Sequence, residues 1–187
     1  PATYGYFSCK KFVVGPGSPY MVKGWPWGAS SLNWQIIRYA DVLLWKAEAL
    51  IELGRQDEAL PLINQIRNRA KQSKYVKKLN STTNAANYVI DEYKPGINCT
   101  WTKEFARKAL RFERKLEFAM EGERFFDLVR WGAAAETLNE YFAKEKLVRT
   151  YIKDETQFTA GKDEYFPIPQ AQINFSGGLY KQNPGYE

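Results

Sequence analysis

Two oily stripes at helical spacing, divided by a single glycine, limit what this chain can fold into more than any other feature. Across residues 33–53, Ile36, Ala40, Leu43, Ala47 and Leu50 recur at steps of four, three, four and three, with Ile37, Leu44 and Ile51 beside them. That period predicts a helix of roughly twenty residues with a wide apolar face. Gly54 supplies the left-handed residue that ends such a helix. Asp57 and Glu58 then place acceptors and negative charge where a second helix has free N–H groups. Pro61, tolerated in a first helical turn, fixes that start near Asp57. The second stripe is Ala59, Ile63, Ile66 and Ala70, flanked by Leu62. With only a few residues between them, the two helices fold back as an antiparallel pair, apolar faces together.

The spacing A-E-A-L, then Gly, then E-A-L resembles a tetratricopeptide hairpin, in which small residues let helices approach closely; no second copy recurs at about 34 residues, so a regular array is not implied. Helical period returns after Thr102, a cap residue, with Phe105, Ala109, Phe112, Leu116 and Ala119 as the predicted buried stripe. The opposite, expectedly exposed face carries Arg107, Arg111, Glu113, Arg114, Lys115, Glu117 and Glu121. Glu113, Glu117 and Glu121 lie four apart. Glycoside hydrolysis needs two carboxyls facing each other across a sugar, whereas a row on one helix face, interleaved with Arg and Lys, reads as an ion-pair ladder. After Gly122, Phe125, Phe126, Leu128, Val129 and Trp131 alternate with Arg124, Asp127 and Arg130 in a short helix that Gly132 ends, and a small-residue helix runs from Ala133 to about Lys146.

The remaining segments are irregular. Residues 71–101 read as a polar insertion loop, long enough to be functional or merely variable. In the tail, 147–187, the two prolines of P-I-P enforce an extended path that would lay Phe166, Ile168 and Ile173 on a neighbouring surface. Residues 1–32 form an aromatic segment broken by Gly, Pro and Ser. Within it, G-W-P-W-G at 24–28 holds Trp25 and Trp27 in a restrained geometry with Tyr20 nearby. Such rings build a platform for sugar faces, or they plug the helical core; the residues alone allow both. The expected organisation is a loop segment, 1–32, ahead of a helical domain, 33–187, comprising a hairpin at 33–70, the insertion loop, helices over 102–146 and the extended tail.

Composition removes whole classes of chemistry. Histidine is absent, which excludes Ser-His and Cys-His nucleophile pairs and imidazole metal sites. Cys9 and Cys99 are too few for a metal cage or a disulfide framework, and sequence does not decide whether they pair. No cofactor is called for. The net charge of +6 comes from interleaved signs, not a basic stripe, which argues against nucleic acid. No apolar run approaches the 18 or so residues of a membrane span, and a chain beginning at Pro1 is expected to be processed or excised from something longer.

Four segments together resemble one family: R-Y-A-D-V-L-L-W-K-A-E-A-L at 38–50, I-N-Q-I-R-N-R-A at 63–70, E-R-K-L-E-F-A-M-E-G-E-R-F-F-D-L-V-R-W-G at 113–132, and Y-F-P-I-P-Q-A-Q-I with the closing Q-N-P-G-Y. In that order they look like the C-terminal half of the SusD/RagB surface lipoproteins, with Glu123 standing where that family usually has histidine. The resemblance implies an all-α, tetratricopeptide-like fold with long irregular loops. It also implies a non-catalytic glycan or nutrient binder on the outer face of the outer membrane, held there by an N-terminal lipid anchor that this chain does not contain. The implied partner is a SusC-like TonB-dependent barrel that imports the captured oligosaccharide. On that reading Trp25, Trp27 and Tyr20 are the glycan-contact candidates, while Arg38, Asp41, Glu48, Arg124 and Asp127, which fall in the matching motifs, form structural ion pairs. Two other readings compete: a helical scaffold for a peptide or protein partner, and a carboxylate glycosidase.

Overall fold

Gly54 adopts φ +76° and turns the chain between α1, Tyr39–Glu52, and α2, Gln56–Gln72. The computed structural model describes residues 11–187 except 16, 23 and 25–28, and the described residues form six helices with no strand, only isolated β-bridges. The remaining helices are α3, Lys103–Glu117; α4, Glu123–Arg130; α5, Ala134–Glu145; and α6, Gln170–Phe175. Two compact units contain them, Pro1–Glu121 and Gly122–Glu187.

In the first unit α1, α2 and α3 pack around Leu44, Ala47, Ile51, Ala59, Ile63, Ala106 and Leu110, all buried. Alanine recurs on all three helices, so their backbones can approach closely. Thr102 caps α3, its Oγ1 accepting from the Phe105 N–H at 3.2 Å. The loop after α2 is pinned rather than free. Asn64 of α2 donates from Nδ2 to the Tyr93 carbonyl and accepts the Tyr93 N–H at Oδ1, both at 2.8 Å. Trp101 donates from Nε1 to the Gln56 carbonyl at 2.9 Å.

Three details depart from the helical period. The first helix begins at Tyr39 rather than near residue 33, because Arg38 is extended (φ −111°, ψ 154°) and reaches towards α3; Ile36 and Ile37 therefore leave the stripe and are exposed. Pro61 lies in the second turn of α2, not its first, where its missing N–H costs one intrahelical bond from the Asp57 carbonyl. On α3 the face is turned: Phe112 and Leu116 are exposed, while Glu113 and Arg114, expected outside, are buried. Charge complementarity with α1 and α2 outweighs the oily stripe there.

The second unit is built on α4 and α5, whose Leu128, Ala134, Leu138 and Phe142 pack with Phe158 from the tail. Gly132 at φ +64° makes the turn between the helices. Asn139 grips Phe158 as Asn64 grips Tyr93, donating to its carbonyl at 3.0 Å and accepting its N–H at 2.7 Å. The tail repeats the device. Gln182 accepts the Ile168 N–H at 2.7 Å and donates to its carbonyl at 2.9 Å, and Asn183 donates to the Phe166 carbonyl at 2.7 Å. The Q-N-P-G-Y ending thus supplies partners to the P-I-P backbone, whose prolines have no N–H of their own. The tail is not extended throughout, since α6 starts directly after Pro169, and Phe166 is exposed rather than laid on a surface.

Candidate functional site

The charged face of α3 meets the hairpin through a lattice of ion pairs. Arg114, buried, donates from Nη1 to Asp41 Oδ1 at 2.7 Å. Arg67 Nη1 donates to Glu113 Oε2 at 2.8 Å, and Arg69 to Glu117. Arg38 spans two carboxylates, with Nη1 to Glu117 Oε1 at 2.7 Å and Nε and Nη2 to Glu121 at 2.9 Å each. Lys11 Nζ joins them, donating to Glu121 Oε1 at 2.6 Å and to the Glu117 carbonyl at 2.7 Å. Burial alone would raise the pKa of Glu121, but the hydrogen bonds from Arg38 and Lys11 outweigh it and hold the carboxyl below its ordinary range. At Glu113 burial wins over the bond from Arg67, and the pKa is raised. Glu117 and Glu121 therefore sit in a cleft of about 310 Å³ with Arg38, Arg69, Lys11 and Gln35, each already engaged by cations. This is a poor setting for a general acid or a nucleophile, each of which needs a carboxyl free to reach the reacting atom.

Lys11, Phe12 and Gln35 also wall a second cleft, of about 240 Å³, with Ser30, Leu32, Asn33 and Trp34. Here Phe12 and Trp34 stack at 5.0 Å between centroids and 21° between planes, yet Trp34 is 70% exposed. A rigid ring pair open to water, beside two amides and a hydroxyl, can lie against the C–H face of a sugar while the polar groups meet its hydroxyls. The segment leading to it is a short antiparallel pairing: the Val22 N–H donates to the Ala29 carbonyl at 2.9 Å and the Ser31 N–H to the Tyr20 carbonyl at 2.8 Å. Tyr20 is exposed on this pairing. Trp25 and Trp27 lie outside the described residues.

Among the residues expected to form ion pairs, Arg38 and Asp41 sit in the lattice, and Glu48 is half-buried on α1. In the second unit Asp127 is buried and accepts from Arg130 Nε at 3.0 Å, while the Arg124 guanidinium stands 5.9 Å from the Trp131 ring centroid. Sequence reasoning assigned no role to the Phe12–Trp34 pair. Trp34 lay inside the stretch read as helix, and the only signal for it was a large ring off the apolar stripe. Among the described residues no group of His, Cys, Asp or Glu could hold a metal ion, and no helix is long and apolar enough to cross a membrane.

The model of the SusD family matches residues 1–186. The chain is 37% identical over 103 residues to SusD-like protein P38 of Formosa agariphila, covering 55% of this chain and 18% of that protein. It is 30% identical over 158 residues to SusD-like protein P2 of the same organism, covering 84% and 26%. The chain thus spans about a quarter or less of the length of these curated relatives. Among solved structures, a SusD homolog from Bacteroides thetaiotaomicron aligns at TM-score 0.59 and 31% identity, covering 83% of this chain and 28% of that one. Surface glycan-binding protein A of the same species aligns at 0.52 and 27%, covering 83% and 26%.

Proposed function

This chain belongs to the SusD family, and we propose that it captures an oligosaccharide at the cell surface without transforming it and delivers it to a TonB-dependent outer-membrane transporter. The family match over residues 1–186 carries the reading, and the resemblance to a surface glycan-binding protein supports the ligand class. In this reading residues 1–32, with the stretch that runs on to Gln35, contribute the ligand contacts and the rest of the chain the frame. Trp34 stacked on Phe12 offers the platform, Ser30, Asn33 and Gln35 the hydroxyl partners, and Tyr20, Trp25 and Trp27 further rings. Each ring or amide contributes modestly, so retention depends on several acting together. The location follows the family: the outer face of the outer membrane, reached through a lipid anchor. The saturation of Glu117 and Glu121 by arginine and lysine supports binding without hydrolysis.

The test is electrophoresis of the intact protein through gels that each contain one polysaccharide. Retardation by at least one polysaccharide, with no released reducing ends, is expected. Trp34→Ala and the Trp25→Ala, Trp27→Ala pair should each weaken that retardation while helical content stays constant. Migration indifferent to every polysaccharide, or release of sugar, refutes the reading.

A further inference from the structure

The two clefts of the first unit form one continuous surface. Lys11, Phe12 and Gln35 belong to both, so the ring pair of Phe12 and Trp34 runs on into the cations of the α3 lattice. At the cationic end the charge is unevenly shared. Lys11, Arg38 and Arg69 face Glu117 and Glu121, three positive groups against two negative, and the two signs lie at different depths. The Glu117 and Glu121 side chains are 9% and 12% exposed, whereas those of Arg69 and Lys11 are 59% and 39% exposed. A ligand entering the cleft therefore meets guanidinium and ammonium first, with the carboxylates beneath them. Arg69 is only partly engaged. Its Nη2 donates to Glu117, and among the described residues its Nε and Nη1 have no partner. Ion pairs this exposed add little to stability, so the energetics of folding give no reason to keep two cations at the mouth.

We propose that the oligosaccharide taken by this surface is acidic, a glycan whose sugars carry carboxylate or sulfate groups. The proposal rests on the glycan-capture reading above and narrows its substrate class. A sugar ring lying on Phe12 and Trp34 can extend its chain past Gln35 and present an acid group to Lys11 and Arg69. The unengaged N–H groups of Arg69 belong to a planar fork that matches the edge of a carboxylate or sulfate, and such charge-assisted bonds are roughly twice as strong as neutral ones. A neutral glycan gains nothing comparable. On entry it would strip water from Lys11 and Arg69 and return only neutral acceptors. Two exposed cations at one place, beside a ring platform, suit a chain of stacked sugars with spaced charges. The continuous phosphate backbone of a nucleic acid calls instead for a basic stripe.

The test runs the intact protein through affinity gels that contain polygalacturonate, a sulfated galactan, or a neutral galactan or starch, with mobility normalised to a gel without polysaccharide. Retardation is expected in an acidic gel. Its apparent affinity should fall about tenfold or more when the acid groups are masked by methyl esterification or removed by desulfation, and again when Arg69→Gln or Lys11→Gln removes a cation. Glu117 keeps Arg38 in the Arg69→Gln variant, so its melting temperature should stay within a few degrees of the parent. Trp34→Ala should also weaken retention, because plain attraction to a polyanion needs no ring. Lys153→Gln, exposed in the second unit, removes the same charge outside both clefts and should change nothing. Preference for polygalacturonate assigns a carboxylate and preference for the sulfated galactan a sulfate ester, and either upholds the proposal. Neutral polysaccharides retained as strongly as acidic ones overturn it while leaving glycan capture standing, whereas retention by no polysaccharide refutes the capture reading itself. An equal loss in Lys153→Gln, or a single-stranded DNA oligonucleotide bound as tightly as the acidic glycan, also overturns the proposal, since overall positive charge would then be the cause.

Discussion

Breaking the buried Asp41–Arg114 pair should cost far more than removing an exposed ion pair. Its side chains are 4% and 1% exposed, its N···O distance is 2.7 Å, and the Arg114 guanidinium also stands 5.0 Å from the Phe118 ring centroid. Arg114→Met leaves a carboxylate in the interior with its cation removed, a change that costs about 3–5 kcal/mol. Asp41→Leu removes the carboxylate that the buried Arg114 bonds to and also takes a negative charge from the first turn of α1, the latter adding about 0.3–1 kcal/mol. At roughly 3 °C per kcal/mol for a chain of this size, each single variant melts about 10–15 °C lower. Combining Asp41→Leu with Arg114→Met removes both charges and fills the space with apolar atoms, and such replacements are commonly neutral or better. The double variant should therefore recover most of the loss, giving a coupling energy of several kcal/mol in a urea-denaturation cycle. Single substitutions costing under about 1 kcal/mol, or losses that simply add, would refute a buried pair at this position.

Other consequences are smaller and separable. Glu121 titrates below its ordinary value in the folded state, so its contribution to stability is complete above that ordinary value and is lost as pH falls through the folded one. Glu121→Gln should thus be less stable than the parent at neutral pH, with the two converging in acid when urea midpoints are compared between about pH 3 and pH 7. Gly54 holds φ +76° with nothing near its Cβ position, so Gly54→Ala should cost about 1–2 kcal/mol by backbone strain alone, read as a lower melting temperature with unchanged helical content. Gln182→Ala removes both hydrogen bonds that hold Ile168. It should speed proteolytic cleavage within residues 160–187 without altering amide exchange in α3.

The hairpin was legible because its information is local. Gly54 marks the turn, and the alanines and isoleucines of α1 and α2 keep their period on one face. α3 defeated the same reasoning: counting Phe105, Phe112 and Leu116 as the inner stripe ignores that four carboxylates and arginines on its other face have partners on α1 and α2. Those partners, Arg38, Asp41, Arg67 and Arg69, are more than forty residues away in sequence, so no window on α3 reveals them. The motifs carried the missing information in another form, since R-Y-A-D, I-N-Q-I-R-N-R and E-R-K-L-E hold complementary charges. For the candidate site, aromatic and turn-rich composition draws attention to residues 1–32, but the stacking of Phe12 on Trp34 joins residues 22 apart through an irregular path that no periodicity encodes.

The same lattice settles a question of register that the apolar core leaves open. Small residues at the helix contacts, Ala47, Ala59 and Ala106, would let α3 slide along the hairpin by one turn with little steric penalty. Because Glu113 and Glu117 lie four apart, a slip that brings Glu117 opposite Arg67 would still give that arginine a carboxylate, so the Arg67 pair cannot tell those two registers apart. Arg114 has no such repeat: one turn away on either side stand Leu110 and Phe118, and either would leave Asp41 buried and unpaired at a cost of about 3–5 kcal/mol. This buried pair thus supplies much of the energy gap between the native register and that competitor, as a lone polar residue does in a helical seam. The Asp41→Leu, Arg114→Met double variant separates stability from uniqueness. It should unfold at nearly the parental urea concentration yet show two sets of amide resonances for α3, and a single sharp set would mean that shape alone holds the register.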